Sequence, residues 1–205
     1  MAQNQSTLAQ QFQQAVSALQ NQQFSVAEQI ATQLDKQSPN HPDILHLLAL
    51  ATKQAAPARA LGYFERSLKL NPKQPSVLSN FANFLQSSQQ LRAAKRYYLQ
   101  ALQLDSSLVD AWYNLASVHY QSRDYLAAAH AAEKAVSQKP DYLKAYLLKG
   151  RAELDYKLFD AAEKTIRTAL KRWPDEPTLL FNLALVYRYI EHTVEARKIY
   201  AELKG

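Results

Sequence analysis

The chain contains no cysteine, three glycines and one methionine among its 205 residues. Without cysteine, a disulfide, a thiolate metal ligand and a cysteine nucleophile are all excluded. Few glycines and the lack of alternating strand patterns with hairpin turns argue against a β-sheet. No segment approaches the roughly 18 consecutive apolar residues that a membrane span needs. Since 47% of the residues are hydrophobic and 20% are charged, the composition is that of an ordinary globular protein.

The N-terminus also lacks the features of a secretory signal. Met1 to Ser6 are polar and uncharged, and no basic stretch leads into an apolar run. A cytoplasmic location is therefore expected, unless a leader has been removed.

Proline, in contrast, recurs at a nearly constant interval. Seven of the eight prolines follow a spacing of about 34 residues, in two series three residues apart: Pro39, Pro72, Pro140, Pro174 and Pro42, Pro75, Pro177. Proline is tolerated in the first helical turn but costs roughly 3 kcal/mol inside a helix. The spacing therefore predicts a tandem array of two-helix units that meet at the prolines.

Other residue types recur with the same period. In the fourth unit the recurring positions are Trp112, Leu115, Ala116, His119, Ala128, Ala132, Ala135 and Pro140. Their spacing resembles the tetratricopeptide repeat (TPR), and five clear copies and one weaker first copy follow it. The resemblance implies an all-α fold, a right-handed α-solenoid of six helix-turn-helix repeats and about 12 helices. The first helix of each repeat, here called the A helix, would line a concave groove, and the second, the B helix, the convex side.

The predicted domain is a single solenoid over residues 8–205. Its repeats are expected at about 8–40, 41–74, 75–108, 109–142, 143–176 and 177–205, after a disordered or frayed N-terminus at residues 1–7. A single pair of short helices is only marginally stable in water, so each repeat must bury its second face on the next repeat. The chain stops after the sixth B helix without a polar capping helix. This predicts either a fragment of a longer protein or self-association through the C-terminal repeat.

The net charge of +6 is unevenly distributed. Residues 36–104 carry nine cations and two carboxylates, mainly on B helices. A solvated outer face is the simplest interpretation, and contact with an acidic partner is the alternative. Nucleic acid is disfavoured as a partner because no aromatic-interleaved basic motif occurs.

No pattern indicates an enzyme. The five histidines show no metal-ligand spacing, and no phosphate loop or nucleophile elbow occurs. His119 stands where the repeat usually has tyrosine, which predicts core packing. Catalytic residues, cofactors and metal sites are therefore all predicted to be absent.

Asparagines recur on the predicted groove side. Asn80, Asn114 and Asn182 occupy equivalent positions in three repeats, and Asn83 lies nearby. An amide can pair with the backbone of any extended peptide. The series resembles the asparagine ladder in the TPR superhelix of O-linked N-acetylglucosamine transferase, although His46 and Leu148 interrupt it. Ordinary surface asparagines are the alternative.

A second TPR binding mode is matched only in part. The two-carboxylate clamp for acidic chaperone tails is matched at Asn83, Asn114 and Lys144, whereas Ser79 and Leu148 replace two of its cations. Arg151, one turn beyond Leu148, is the candidate substitute for the second.

Amides alone cannot provide micromolar affinity, which needs about 8 kcal/mol, because each hydrogen bond contributes roughly 0.5–1.5 kcal/mol. Apolar anchors are therefore expected on the same side, with core packing as the alternative for each: Tyr113, Tyr120, Leu147, Phe181, Leu185 and Tyr189. Lys144, Arg151 and Arg188 would select acidic groups.

The sequence thus predicts a non-catalytic scaffold that binds a peptide or partner protein in its groove. The alternative is the substrate-recruiting arm of a larger glycosyltransferase-like or sulfotransferase-like enzyme.

Overall fold

The computed structural model describes residues 2–203, and this part of the chain folds into twelve α-helices without a β-strand. The helices are α1 Ala2–Gln20, α2 Phe24–Gln37, α3 Pro42–Thr52, α4 Pro57–Leu70, α5 Pro75–Ser87, α6 Leu91–Leu104, α7 Val109–Gln121, α8 Tyr125–Gln138, α9 Leu143–Asp155, α10 Phe159–Leu170, α11 Pro177–Tyr189 and α12 Thr193–Glu202. The predicted all-α fold is confirmed. Within these residues, no helix combines the length and the apolarity that crossing a membrane requires.

Helix starts follow the proline period. Pro42, Pro75 and Pro177, which form one of the two periodic series, each open a helix, where a missing N–H group leaves no hydrogen bond unmade. Pro57, outside the series, also opens a helix. The helices α5, α7, α9 and α11 begin at positions 75, 109, 143 and 177, so each starts one repeat period after the one before it. Residues one period apart on these helices therefore occupy equivalent positions. At the other end of the chain, α1 begins at Ala2, before residue 8 where the first repeat is expected.

The helices fall into two compact units, which are described separately: unit 1, residues 1–88, contains α1 to α5, and unit 2, residues 89–205, contains α6 to α12. In each unit, helices pack mainly on their neighbours in the chain, for example α3 on α4 and α7 on α8. Such consecutive helix pairs are typical of a TPR α-solenoid, which confirms the predicted fold class. The single solenoid over 8–205 stays a prediction.

Small residues let neighbouring helices approach closely. In unit 2, Ala116, Ala128 and Ala162 are fully buried. A Cβ atom added to Gly150 on α9 would lie 3.1 Å from Cγ1 of Ile166 on α10, which is closer than ordinary van der Waals contact. The backbone of α9 at Gly150 therefore packs directly against the side chain of Ile166 on α10.

Larger side chains fill the remaining space in each unit. In unit 1, the buried ring of Phe64 lies 5.1 Å from Phe81, 5.7 Å from Phe84 and 6.1 Å from His46, measured between centroids. In unit 2, His119 is buried, and its Nδ1 lies 3.0 Å from Oδ2 of Asp124. The predicted core role of His119 is confirmed.

Most A helices end in a turn whose backbone is left-handed at a residue other than glycine. Gln22, Arg123 and Lys157 have φ values of 58°, 60° and 65°. The N–H group of Arg123 donates to the carbonyl of Tyr120, and that of Asp124 donates to the carbonyl of His119. This is the Schellman motif, in which the left-handed position is usually glycine. Only three glycines occur in the chain, and none stands at these turns.

We expect Arg123→Gly and Lys157→Gly each to raise the free energy of unfolding, by up to about 1 kcal/mol. A left-handed backbone costs a residue with a side chain roughly 1–2 kcal/mol, and the greater flexibility of glycine in the unfolded chain offsets part of this gain. Both side chains are exposed, so truncation removes little packing. Chemical denaturation measures the change.

The matched control is Lys134→Gly in the interior of α8, also an exposed lysine. It should lower stability by about 1 kcal/mol, because glycine is a poor helix former. Equal losses in all three variants would contradict the interpretation of the turns.

Candidate functional site

Three A helices of unit 2 enclose one open cleft. Its lining residues come from α7, α9 and α11, the first helices of three successive repeats. The cleft has a volume of about 500 Å³ and is lined by Tyr113, Tyr120, Lys144, Leu147, Leu148, Arg151, Thr178, Phe181 and Asn182. Because these helices begin one repeat period apart, equivalent positions face the same space.

The lining forms rows across the three helices. Tyr113, Leu147 and Phe181 stand at equivalent positions in successive repeats and form an apolar row. Leu148 and Asn182 form a second row, and Lys144 and Thr178 a third. On α9, the lining residues recur at intervals of three and four, which is the spacing of one helical face. The repeated pattern therefore generates seven of the nine lining residues, whereas Tyr120 and Arg151 have no counterpart in the lining.

Seven of the predicted groove residues line this cleft: Tyr113, Tyr120, Lys144, Leu147, Arg151, Phe181 and Asn182. Leu148 and Thr178 also line the cleft, although they are not among the predicted groove residues. The repeat period was the signal that could have found them, because Leu148 stands one period after Asn114 and Thr178 stands one period after Lys144.

The other predicted residues of unit 2 lie elsewhere. Leu185 is half-buried and packs on the core, and Asn114 is half-buried on α7. Arg188 and Tyr189, at the end of α11, are exposed, with the guanidinium carbon of Arg188 5.6 Å from the centroid of the Tyr189 ring. Tyr189 also stacks on Phe159, with 5.3 Å between ring centroids.

The predicted asparagines differ in their surroundings. In unit 1, Nδ2 of Asn80 lies 3.1 Å from Nε2 of His46 on the preceding A helix, and Asn83 is half-buried on α5. In unit 2, Asn182 has only 4% of its surface exposed although it lines the cleft. An amide that is buried or paired within the protein offers fewer groups to a ligand than a free surface amide.

Electrostatically, the cleft is positive. Lys144 is exposed, Arg151 is half-buried, and none of the lining residues is a carboxylate. Behind the lining, Oδ2 of Asp155 accepts hydrogen bonds from Nε of Arg151, at 3.1 Å, and from the hydroxyl of Tyr120, at 2.5 Å. Burial and the bond to Asp155 raise the pKa of Tyr120 above its ordinary value. The hydroxyl is therefore protonated at neutral pH and is the donor of the hydrogen bond to Asp155.

The ion pair also acts on Arg151. Burial favours the neutral guanidine, but the hydrogen bond and the charge of Asp155 outweigh that effect and raise the pKa of Arg151. Arg151 is therefore a permanent cation at the edge of an apolar floor.

A smaller, mainly apolar cleft lies in unit 1. It has a volume of about 400 Å³, and its apolar lining comes chiefly from Leu8, Phe12, Leu34 and Ile44 on α1, α2 and α3. None of the predicted groove residues lines this second cleft. In the part of the chain that the structure describes, no three histidine, aspartate or glutamate side chains are grouped closely enough to hold a metal ion.

Comparison with known proteins gives a family match over more than half of the chain. A family model described as Tetratricopeptide repeat matches residues 81–142, 116–177 and 147–204. Among curated proteins, the chain is 30% identical over 124 residues to protein O-mannosyl-transferase TMTC1 of Mus musculus and 23% identical over 206 aligned positions to protein O-mannosyl-transferase TMTC3 of Homo sapiens. The alignments cover 58% and 81% of this chain but only 13% and 22% of those relatives.

Solved structures with similar folds share little sequence with the chain. PilF of Pseudomonas aeruginosa has a TM-score of 0.80 at 17% identity, with 98% of this chain and 91% of that chain covered. YrrB, described as a TPR protein with an unusual peptide-binding site, has a TM-score of 0.77 at 17% identity, with 84% and 90% covered. MamA has a TM-score of 0.70 at 22% identity, with 80% and 91% covered. These likenesses concern the fold alone.

Proposed function

Because the chain belongs to the tetratricopeptide repeat family, we propose that it is a protein-interaction scaffold that binds a peptide or a segment of a partner protein. The proposed binding site is the cleft between α7, α9 and α11. The observation that carries this proposal is an open cleft of about 500 Å³ in which apolar side chains from three repeats and two cations from α9 face one space. The peptide-binding site in the description of YrrB, a protein of similar fold, supports it.

The chemistry of the lining suits a peptide. Phe181 has 44% of its surface exposed, and Leu147 and Leu148 continue the apolar floor beside it. Burying such side chains against a ligand contributes roughly 25 cal/mol for each Å² removed from water. Thr178, which is exposed, adds a hydrogen-bonding group that can pair with a peptide backbone. Participation of Asn80, Asn83, Asn114, Leu185, Arg188 and Tyr189 stays a prediction, as does the cytoplasmic location.

Selection from a library of random peptides tests this proposal. We expect enriched peptides to bind the purified chain, and Phe181→Ala to weaken that binding about tenfold, the loss of about 1.4 kcal/mol that is typical for removing an interface anchor. Fluorescence polarisation with one labelled enriched peptide gives the dissociation constants.

The matched control is Leu126→Ala on α8. Leu126 is 39% exposed, close to the value for Phe181, but it does not line the cleft. Its replacement should leave the affinity unchanged. Failure to enrich any peptide, or equal losses in both variants, would count against binding in this cleft.

A second candidate is the substrate-recruiting arm of a larger enzyme. The similarity to the O-mannosyl-transferases, which this chain matches over 13% and 22% of their length, supports it. In that case the reading frame that contains this segment encodes a catalytic domain as well. Phe181→Ala in the complete enzyme should then raise KM for a protein substrate without changing kcat, whereas a frame without a catalytic domain would exclude this candidate.

A further inference from the structure

The smaller cleft between α1, α2 and α3, here called the unit 1 cleft, has an equivalent place in unit 2. Helix α3 begins at residue 42 and α9 at residue 143, so equivalent residues of these repeats are 101 positions apart. His41 and Tyr142 are the N-caps of α3 and α9. Ser38 and Lys139 are the C-caps of α2 and α8. The helix ends thus follow the same offset, and the two places can be compared residue by residue.

In unit 2, a tyrosine ring of the chain itself occupies this place. The ring of Tyr142 lies 5.2 Å from that of Tyr113 on α7, measured between centroids. Its hydroxyl donates a hydrogen bond to Oδ1 of Asp110, at 3.0 Å. On the other side, Nζ of Lys139 lies 5.2 Å from the centroid of the Tyr142 ring. One phenol side chain therefore joins α7, the end of α8 and the start of α9.

In unit 1, this tyrosine is missing although an aromatic partner for it is present. His41 stands at the position of Tyr142, and Phe12 stands at that of Tyr113. Both line the unit 1 cleft, which has a volume of about 400 Å³. The side chain of His41 is 49% exposed, and its Nδ1 lies 3.9 Å from Oδ2 of Asp43. A cleft with an aromatic wall is therefore open where a tyrosine ring packs in unit 2.

The lining of the unit 1 cleft suits a phenol group. Phe12 offers a ring, and a pair of aromatic rings gains more than its contact area alone provides. The acceptor for a hydroxyl differs from that in unit 2, because Ala9 stands at the position of Asp110. Among the lining residues that the structure describes, Asp43 is the one carboxylate. A hydroxyl group donates a strong hydrogen bond to a carboxylate, so Asp43 is the acceptor that this cleft offers.

We propose that the unit 1 cleft binds the phenol side chain of a tyrosine from a partner segment. The ring packs on Phe12, as Tyr142 packs on Tyr113 in unit 2, and the hydroxyl donates to Asp43. A side chain and not a free small molecule is the proposed source, because in unit 2 the ring is presented by a polypeptide backbone beside equivalent helix ends. This cleft is separate from the one between α7, α9 and α11, so the inference goes beyond the proposed function and either can fail alone.

Three small molecules test the ligand class. p-Cresol is the tyrosine side chain without its backbone, 4-methylcyclohexanol is its saturated counterpart, and toluene lacks the hydroxyl. In NMR titrations of the intact chain, we expect p-cresol to shift the amide signals of residues around the unit 1 cleft. It should bind roughly two- to tenfold more tightly than 4-methylcyclohexanol, which is the range for an aromatic pair. Equal binding of these two molecules, or no shift around the cleft, would overturn the proposal.

A capped pentapeptide with a central tyrosine and four glycines tests the source of the ring. The control peptide has alanine at the centre. The tyrosine peptide should shift the same amide signals as p-cresol and compete with it, whereas the alanine peptide should do neither. If p-cresol binds in the cleft and the tyrosine peptide does not, a partner segment is the wrong source.

Filling the cleft from within tests the comparison between the units. His41→Tyr restores the residue type of unit 2, so its own ring should occupy the cleft. We expect this variant to bind p-cresol roughly tenfold more weakly or less and to melt at a higher temperature. The matched control is His130→Tyr on α8, an exposed histidine outside the cleft, which should change neither value. Undiminished binding of p-cresol by folded His41→Tyr would contradict the inference.

Two further variants test the named contacts. Phe12→Leu keeps an apolar wall but removes the ring, so the preference for p-cresol over 4-methylcyclohexanol should disappear. Asp43→Ala should weaken binding of p-cresol several-fold and leave that of toluene unchanged, since toluene has no hydroxyl; equal losses for both would overturn the role of Asp43. Phe181→Ala in unit 2 should not affect p-cresol binding here, which separates this inference from the proposed function. Circular dichroism ensures that each variant is folded.

Discussion

Lys149→Met is expected to lower the free energy of unfolding by about 3–5 kcal/mol at neutral pH, because it leaves a buried carboxylate without its counterion. Nζ of Lys149 on α9 lies 3.2 Å from Oε1 of Glu153, 2.8 Å from Oε2 of Glu133 and 2.7 Å from Oγ1 of Thr165. The side chain of Glu153 is 7% exposed, and its Oε2 atom has no hydrogen-bond partner. Lys149 is thus the cation that stabilises the Glu153 charge.

Urea denaturation of the wild type and of Lys149→Met at pH 7.5 measures this loss. A difference below about 1 kcal/mol would contradict the prediction, because it would mean that Glu153 does not depend on its counterion.

The control removes both charges. Lys149→Met with Glu153→Met should recover most of the lost stability, because replacing a buried ion pair by apolar residues is often neutral or stabilising. Glu133 is on the surface, with 54% of its side chain exposed, so it remains solvated in either variant. A double variant as unstable as Lys149→Met would indicate that lost packing, not an unpaired charge, is the cause.

The sequence predicted the fold because its determinants are local and repeated. A helix tolerates proline only in its first turn. Pro42, Pro75 and Pro177 therefore indicate where helices begin. Buried alanines such as Ala128 and Ala162 recur for a steric reason that any helix pair shares. Once the period was known, the positions that line the cleft of unit 2 followed from helical periodicity, which explains why most of its lining was predicted.

The pairing of polar side chains could not be predicted in the same way. The bonds from Lys149 to Glu133 and Thr165 and from Tyr120 to Asp155 join different helices, and they depend on side-chain rotamers as well as on the repeat. Asn182 has the position of a groove amide, yet it is 4% exposed, because neighbouring side chains cover it. Left-handed turns at Arg123 and Lys157 went unnoticed since the sequence signal for them is glycine, and glycine is absent there.

The repeats resemble one another at the positions that build the scaffold, whereas binding depends on the positions at which the repeats differ. At the row that begins with Tyr113, the other two repeats have Leu147 and Phe181, so this row is apolar throughout. At the position of Arg151, the neighbouring repeats have Ser117 and Leu185. The cation is thus specific to one repeat, and only the structure shows that Asp155 and Tyr120 hold it.

Lowering the pH from about 6.5 to about 4 is expected to destabilise the protein by about 3 kcal/mol through His46 alone, at roughly 1.4 kcal/mol for each pKa unit. Burial lowers the pKa of His46 to about 4; the nearby carboxylate of Asp43 opposes this shift and the charge of Lys53 adds to it. The ring contacts Phe64, and its Nε2 lies 3.1 Å from Nδ2 of Asn80. If Nδ2 donates this bond, a proton on Nε2 abolishes it.

The direction of this stability change follows from which state of the chain binds the proton. Between pH 4 and 6.5 the unfolded chain, with an ordinary histidine pKa of about 6.5, binds the proton while the folded chain does not, so the free energy of unfolding falls as the pH falls. His46→Gln keeps a polar side chain but cannot titrate. Subtracting its stability from that of the wild type at each pH cancels the other ionisable groups, and the difference should decline by about 3 kcal/mol over this range. An NMR titration of the ring that gave a midpoint near 6.5 would contradict the prediction, because the folded and unfolded chains would then bind the proton equally.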